Sequence, residues 1–288
     1  MEPHMEQLKE QRHRPVPQAP ARIRLVQVVQ SQPVSANLRR ITLTGSALAE
    51  PPHYWPACHV KLLLPKPGQL QPLLPVFGEH GPVWPDQALK PDVRTFTVRA
   101  HRPELAEVDI DVAIHGDSSP ASRFALHCKR GDYCALSLPG GPQPMLPPNL
   151  PFLLVGDMTA LPAICAMLEQ LPADAQGTVF CLVSSHDDIP QLKVPVRVTC
   201  HWLVGNYQQT ALLIDTVKAA PLPAPGSSIW LAGEEQIVLQ LRRYLRHQLP
   251  LQREQLYAIP YWRAGLDEAA YEMPRHQVMD DNAPVAGA

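Results

Sequence analysis

Long apolar runs are missing from this sequence of 288 residues. Nowhere do the roughly eighteen consecutive apolar residues of a membrane-spanning helix occur. The first 19 positions mix charged residues, His and Pro and lack the apolar stretch of a signal peptide, so a cytoplasmic location is expected. Excess charge is lacking as well. The formal net charge is −2, which leaves no bulk basicity to hold nucleic acid. The six cysteines, at positions 58, 128, 134, 165, 181 and 200, form no CxxC pair. They read as free thiols in a reducing compartment rather than a disulfide framework. His127, Cys128 and Cys134 lie close together in sequence, but a zinc site needs a second ligand pair, so no metal site is expected. No GxxxxGK[ST], HExxH or GxSxG is present. Nucleotide triphosphatase, zinc protease and α/β-hydrolase readings therefore lose their usual support.

Proline is abundant instead, at 34 residues, which argues against a helical bundle and for strands joined by stiff loops. Residues 1–20 read as a disordered tail. From position 22 the pattern is strand-like, with Ile23, Leu25, Val26 and Val28, then Leu38, Ile41 and Leu43. A short apolar strand covers 59–64. A Pro- and Gly-rich insertion without helical periodicity follows at 65–92, and another strand covers 95–100. Val108, Ile110, Val112 and Ile114 alternate with other residues, the mark of a half-buried antiparallel strand. With a last strand at 133–138 and one helix at 120–127, residues 21–140 predict a six-stranded antiparallel barrel.

Pro139-Gly140-Gly141-Pro142-Gln143-Pro144 begins a change of composition, and 141–150 reads as an interdomain linker. Beyond it, strands at 152–155, 179–183, 198–203, 229–232 and 256–259 alternate with helices at 161–169, 211–218 and 236–248. That alternation predicts a parallel, Rossmann-like sheet over 151–266, and 267–288 reads as a flexible tail. A barrel followed by such a sheet is the layout of flavin reductases that bind FAD on the first part and a nicotinamide nucleotide on the second.

Within that layout, Arg94 can hold the FAD pyrophosphate, Phe96 can cover the flavin ring, and Thr97, beside Thr95, can hydrogen-bond the flavin edge. His115-Gly116 leads into a helix start capped by Ser118 or Ser119, with Pro120, Ala121 and Ser122 in its first turn. A helix start rich in small residues offers free backbone N–H groups to a phosphate. Gly156, Asp157, Thr159 and Ala160 lie between the first parallel strand and its helix, where nucleotides bind in open α/β sheets, although GxGxxG itself is absent. Gly233 and Glu234 repeat that strand-to-turn step, with the glycine admitting the nicotinamide. Ser184 and Ser185 end the second parallel strand without the acidic residue that holds an unphosphorylated ribose, which favours NADPH over NADH. Asp187 and Asp188 oppose that preference.

Taken together, His59-Val60-Lys61-Leu62, Arg94-Thr95-Phe96-Thr97-Val98-Arg99, His115-Gly116, Pro120-Ala121-Ser122-Arg123-Phe124-Ala125, Gly156-Asp157-Met158-Thr159-Ala160-Leu161-Pro162, Trp230-Leu231-Ala232-Gly233-Glu234 and Tyr261-Trp262-Arg263-Ala264-Gly265 occur in order over 22–266. In these the chain resembles the siderophore-interacting proteins, flavin-dependent ferric-siderophore reductases related to ferredoxin–NADP reductases. It departs from the family pattern at Phe96 for tyrosine, Ser119 for glycine, Phe124 for tryptophan and Met158 for glutamate. The resemblance implies FAD as cofactor, NADPH or NADH as donor and a ferric siderophore, catecholate or hydroxamate, as acceptor. It makes Lys61 and Arg263 the candidates for charge contact with that substrate. No protein iron ligand, nucleic acid or obligate protein partner is implied. A general NAD(P)H:flavin or ferredoxin-type reductase, and a non-catalytic flavin- or siderophore-binding module, remain the alternatives.

Overall fold

The computed structural model describes residues 22–79, 81–117, 119–147, 151–266 and 270–271. The expected tail at 1–20, most of that at 267–288, the end of the linker and Ser118 lie outside the described residues.

Eight strands precede the linker: β1 (Ile23–Pro33), β2 (Leu38–Thr44), β3 (His59–Leu64), β4 (Val76–Gly78), β5 (Gly81–Val83), β6 (Asp92–Arg102), β7 (Glu107–Ala113) and β8 (Tyr133–Ser137). Six of them close an antiparallel barrel in the order β1-β2-β7-β6-β3-β8. Its cause is visible in β1, whose residues alternate between half-buried and buried from Ile23 to Val28 as a period of two requires. Inward-facing Val26, Val28, Ile41, Leu43, Val60, Leu62, Val98, Val108, Ile110 and Leu136 fill the barrel, and helix α1 (Pro120–His127) packs against it through Ala121 and Ala125. The expected 65–92 insertion carries the small β4–β5 hairpin, which its Pro/Gly-rich composition had hidden.

After the linker come β9 (Phe152–Asp157), α2 (Leu161–Leu168), β10 (Gln176–Val183), β11 (Arg197–Val204), α3 (Thr210–Ala219), β12 (Ser228–Glu234), α4 (Glu235–Gln248) and β13 (Leu256–Trp262). All neighbours in the sheet are parallel, in the order β11-β10-β9-β12-β13, so the strand order reverses between β9 and β12. Helices α3 and α4 cover one face. On the other, α2 is apolar around its whole circumference, and all eight of its residues are buried. It can be so because it is clamped between the sheet and barrel strand β6. Leu38 of the barrel belongs to the same core as β9, α2 and β10.

Polar ties join the halves. The Arg99 guanidinium donates to both carboxylate oxygens of Glu169, at 2.6 and 2.5 Å. Its Nε stands 3.7 Å from Asp111, which Arg40 grips at 2.7 and 2.8 Å. Asp188 accepts from Ser35 Oγ, Asn37 N and Asn37 Nδ2 of the barrel and from Ser185 Oγ of its own half. Burial alone would raise the Asp188 pKa, but these bonds hold it below the ordinary carboxylate value. The stretch read as a linker is also tied down. Gly140 pairs with His59, and Met145 and Leu146 are buried. Tyr271, in the segment read as a tail, is buried and donates to Glu235 Oε2 at 2.9 Å.

Candidate active site

A cavity of about 1210 Å³ lies between the barrel and the carboxyl ends of the parallel strands. Barrel strand β6 supplies Asp92, Arg94, Thr95, Phe96 and Thr97. Register sets Lys61 and His59 of β3 opposite Thr95 and Thr97, and both also face the cavity. The turn into α1 adds His115, Ser119, Pro120 and Ala121. The opposite wall consists of Thr159 and Pro162 at the head of α2, Tyr207, and Tyr257, Ile259, Tyr261 and Trp262 of β13, continued by Ala264, Gly265 and Leu266.

Local sequence explains the α1 turn. Ser119 is the N-cap, its Oγ accepting from Ser122 N at 3.1 Å, and Pro120 follows at the first helical position. Ser122 is buried, accepts from His115 N at 3.2 Å and donates to Ala113 O at 3.4 Å. It therefore folds the loop rather than facing the cavity. Gly116 adopts φ +77 with open space where a Cβ would stand, and it does not line the cavity either. Burial lowers the His115 pKa from its ordinary 6.5, opposed by the charge of Asp157, so the ring is neutral at pH 7.

Most of the residues expected around the nicotinamide lie beneath the wall. Asp157, only 6% exposed, accepts four hydrogen bonds: Thr159 N (2.8 Å), Thr159 Oγ1 (2.6 Å), Glu234 N (2.7 Å) and Trp262 Nε1 (2.9 Å). Gly156 packs against Ala160, where an added Cβ would meet the Ala160 Cβ at 2.5 Å. Gly233 adopts φ +121, and its Cβ would stand 2.7 Å from the Asp157 carboxyl. A fixed carboxylate thus explains that glycine at its position. Glu234 is buried and caps α4, accepting from Gln236 N and from Ala264 N at 3.3 Å. Of this set only Thr159 reaches the cavity. Ser184 is exposed at the end of β10 and Ser185 is half-buried, its hydroxyl donating to Asp188. Arg263 does not line the cavity. Its Nε lies 3.5 Å from Glu235 Oε1, and about half of its side chain is exposed.

Sequence reasoning missed the aromatic wall. Tyr257, Ile259 and Tyr261 alternate along β13, and this period of two was the available signal. Trp230 stacks on Tyr257 with centroids 5.8 Å apart and meets Tyr261 edge-on at 6.3 Å, while Tyr207 meets Trp262 edge-on at 6.1 Å. Burial pushes the Tyr257 hydroxyl up to about 12 and Tyr261 well above its ordinary value, with a hydrogen bond to Thr97 acting against the latter shift. Tyr261 thereby joins the two halves at the cavity floor. Asp111 and His59 also line the cavity without having been singled out as contacts.

These residues fit a flavin dinucleotide. The cavity exceeds the roughly 300–1,000 Å³ of an ordinary small-molecule pocket and combines an arginine, the positive end of helix α1 and a phenylalanine.

Comparison with known proteins gives the same class. Residues 27–143 match the siderophore-interacting FAD-binding domain, and residues 151–265 match the siderophore-interacting protein domain. The ferric vibriobactin reductase ViuB of Vibrio cholerae is 36% identical over 261 residues, covering 90% of this chain and 96% of that protein. The NADPH-dependent ferric-chelate reductase of Escherichia coli K12 is 31% identical over 250 residues, 84% of this chain and 94% of that one. Among solved structures, the siderophore-interacting protein SipS of Aeromonas hydrophila superposes with a TM-score of 0.79 at 46% identity, over 90% of this chain and 98% of that one. A ferredoxin reductase of carbazole 1,9a-dioxygenase shares the fold at a TM-score of 0.61 and 15% identity. The fold is that of the ferredoxin reductases with an FAD-binding barrel. The chain belongs to the siderophore-interacting protein family.

Proposed function

We propose that this protein is an FAD-dependent reductase that takes electrons from NADPH or NADH and passes them to a ferric siderophore in the cytoplasm, releasing Fe(II). The observation that carries the reading is the single cavity wall on which Arg94, Thr95, Phe96, Thr97 and the α1 start converge, facing Thr159 and β13 across the domain junction. Arg94 and the N–H groups at the head of α1 hold the pyrophosphate, with Ser119 and Ala121 shaping that turn and Ser122 and Gly116 supporting it from behind. Phe96 packs along the flavin ring, and Thr95 and Thr97 sit at its edge. The nicotinamide end lies against Thr159, supported from below by Gly156, Asp157, Ala160, Gly233 and Glu234, and the ribose end lies toward Ser184 and Ser185. Flavin, when bound, accepts an electron pair from the nicotinamide and gives electrons up singly, which matches a two-electron donor to a one-electron metal acceptor.

Lys61, half-buried and lining the same cavity as Arg94, supplies positive charge for an anionic chelate. Arg263 is a weaker candidate, since it lies outside the cavity wall and near Glu235. Catecholate chelates, the more highly charged class, are favoured over neutral hydroxamates. Fe(II) binds such oxygen donors weakly, so reduction itself frees the metal. Among the described residues no group of three or more His, Cys, Asp or Glu is placed to hold a metal ion. No described helix is long and apolar enough to cross a membrane. The deciding experiment is anaerobic. Yellow protein is mixed with NADPH or NADH until the flavin bleaches, then titrated with ferric catecholate and hydroxamate chelates. Rapid reoxidation by chelates with Fe(II) release is the expected result. Failure of NADPH and NADH to bleach the flavin would leave only a binding module, and reoxidation by ferredoxin alone would favour the general reductase.

A further inference from the structure

Asp157 is a buried carboxylate at the end of the central strand, where the strand order reverses. Among the described residues its four hydrogen bonds all come from neutral donors: the Thr159 amide and hydroxyl, the Glu234 amide and the Trp262 indole. Asp111 has Arg40 and Asp109 has Arg102. Asp188, like Asp157, is met by neutral donors, but those donors tie the barrel to the second half and none of them lines the cavity. Neutral donors disperse a charge without cancelling it, and a carboxylate held in a water-poor site acts over several ångströms. Two of its donors, Thr159 and Trp262, form the nearby cavity wall. The cost of burying this charge and of fixing Gly233 beside it needs a compensating use.

We propose that Asp157 is a positioning residue for nicotinamide oxidation. Its carboxylate fixes the Thr159 hydroxyl and the Trp262 indole at the cavity wall, and its uncancelled charge favours the oxidised, cationic nicotinamide over the reduced, neutral ring. This rests on the reductase reading. Hydride donation breaks one C–H bond of the dihydronicotinamide, carries the electron pair with the proton to the flavin, and leaves a single positive charge on the ring. A negative charge placed beforehand beneath that ring favours the product and the transition state leading to it. The residue acts through its neighbours and its field, and does not itself line the cavity.

The test compares two unreactive probes on the oxidised holoprotein. These are NADP+, with its cationic ring, and tetrahydro-NADP, whose saturated ring is neutral and has no hydride to give. Both carry the same adenosine and phosphates, so the ratio of their dissociation constants isolates the ring charge. Asp157→Asn should weaken NADP+ at least about fivefold more than tetrahydro-NADP, as loss of one poorly screened charge pair predicts. Equal weakening of both probes, or none, overturns the proposal and leaves Asp157 a purely structural tie. If the carboxamide cannot be housed among the four donors, Asp157→Ser, smaller and still an acceptor, carries the same comparison. Wild-type protein that binds neither probe and is not bleached by NADPH defeats the reductase reading. Normal bleaching with an unchanged ratio in the variants defeats this inference alone.

Discussion

Gly233→Ala tests the geometry at the end of β12 most sharply. The backbone there has φ +121, which an alanine adopts only with strain of about 1–3 kcal/mol. The new methyl would also stand 2.7 Å from the Asp157 carboxyl, far inside van der Waals contact. That carboxyl cannot swing aside cheaply, because four donors hold it. Giving up one hydrogen bond to a charged group costs about 1.5–3 kcal/mol. The sum is roughly 3–5 kcal/mol, and at ~2–4 °C per kcal/mol for chains of this order the midpoint should fall by roughly 6–20 °C. Thermal unfolding followed by circular dichroism reads it directly. Gly226→Ala is the control, since Gly226 has φ +83 with nothing within 4 Å of a built Cβ. It carries strain of only about 1–2 kcal/mol. A loss for Gly233→Ala no larger than for Gly226→Ala would mean that Asp157 is not fixed, and the account of this glycine would fail.

Further expectations follow from the same contacts. Lys61→Ala should raise the Michaelis constant for ferric catecholates a few-fold in steady-state assays, the effect of a partly exposed charge pair of roughly 0.2–1 kcal/mol. It should shrink with added salt and leave flavin reduction by NADPH unchanged. Arg40→Ala strips Asp111 of its bidentate partner and should cost about 2–4 kcal/mol in denaturant titration; an unchanged midpoint would count against the buried network. His115 and His101 both have pKa values lowered by burial, the latter against hydrogen bonds to Leu48 O and Tyr54 O. The unfolded chain therefore takes up protons first, and stability is full above an ordinary pKa of 6.5 and falls as pH drops through the lower folded values. Denaturant midpoints at pH 7.5 and about 5.5 would differ accordingly, and replacing both histidines by glutamine should flatten that difference. All six thiols are pushed upward by burial, Cys58 and Cys165 to about 12, so thiol reagents at pH 8 should modify at most the half-buried Cys128 and Cys200 before unfolding.

Much of the architecture was legible because it is written in short periods. The alternation of Val108, Ile110 and Val112 marked a barrel strand, and the strand–helix rhythm after the linker marked the parallel sheet. Helix α1 lies at its expected positions because Ser119 and Pro120 state its start plainly. Residues on the barrel side of the cavity were readable for the same reason, as they follow one strand and one cap. The other wall was less so. Thr159 reaches the cavity, but Gly156, Asp157, Gly233 and Glu234 serve one another across strands 77 residues apart, and no local pattern encodes that tie. The apolar circumference of α2 was visible, yet the partner it required, strand β6 of the other half, was not. Arg263 was named for charge contact with the substrate, and only tertiary structure brings Glu235 beside it.

Closure of the barrel has a consequence for how the chain is made. Strand β1 completes its pairing with β8 through Ile23↔Ser137 and Gln27↔Tyr133, contacts more than a hundred positions apart in the chain. At a synthesis rate of about 5–20 residues per second, the first strand waits roughly 5–20 s for its second neighbour. During that interval β1 can pair only with β2, and Val26 and Val28 lack the far side of their core. Non-local pairing of this kind is slow to form even in the finished chain. The barrel edge is therefore the surface most exposed to wrong partners during biogenesis, and chaperone demand should concentrate in the time before residue 137 leaves the ribosome.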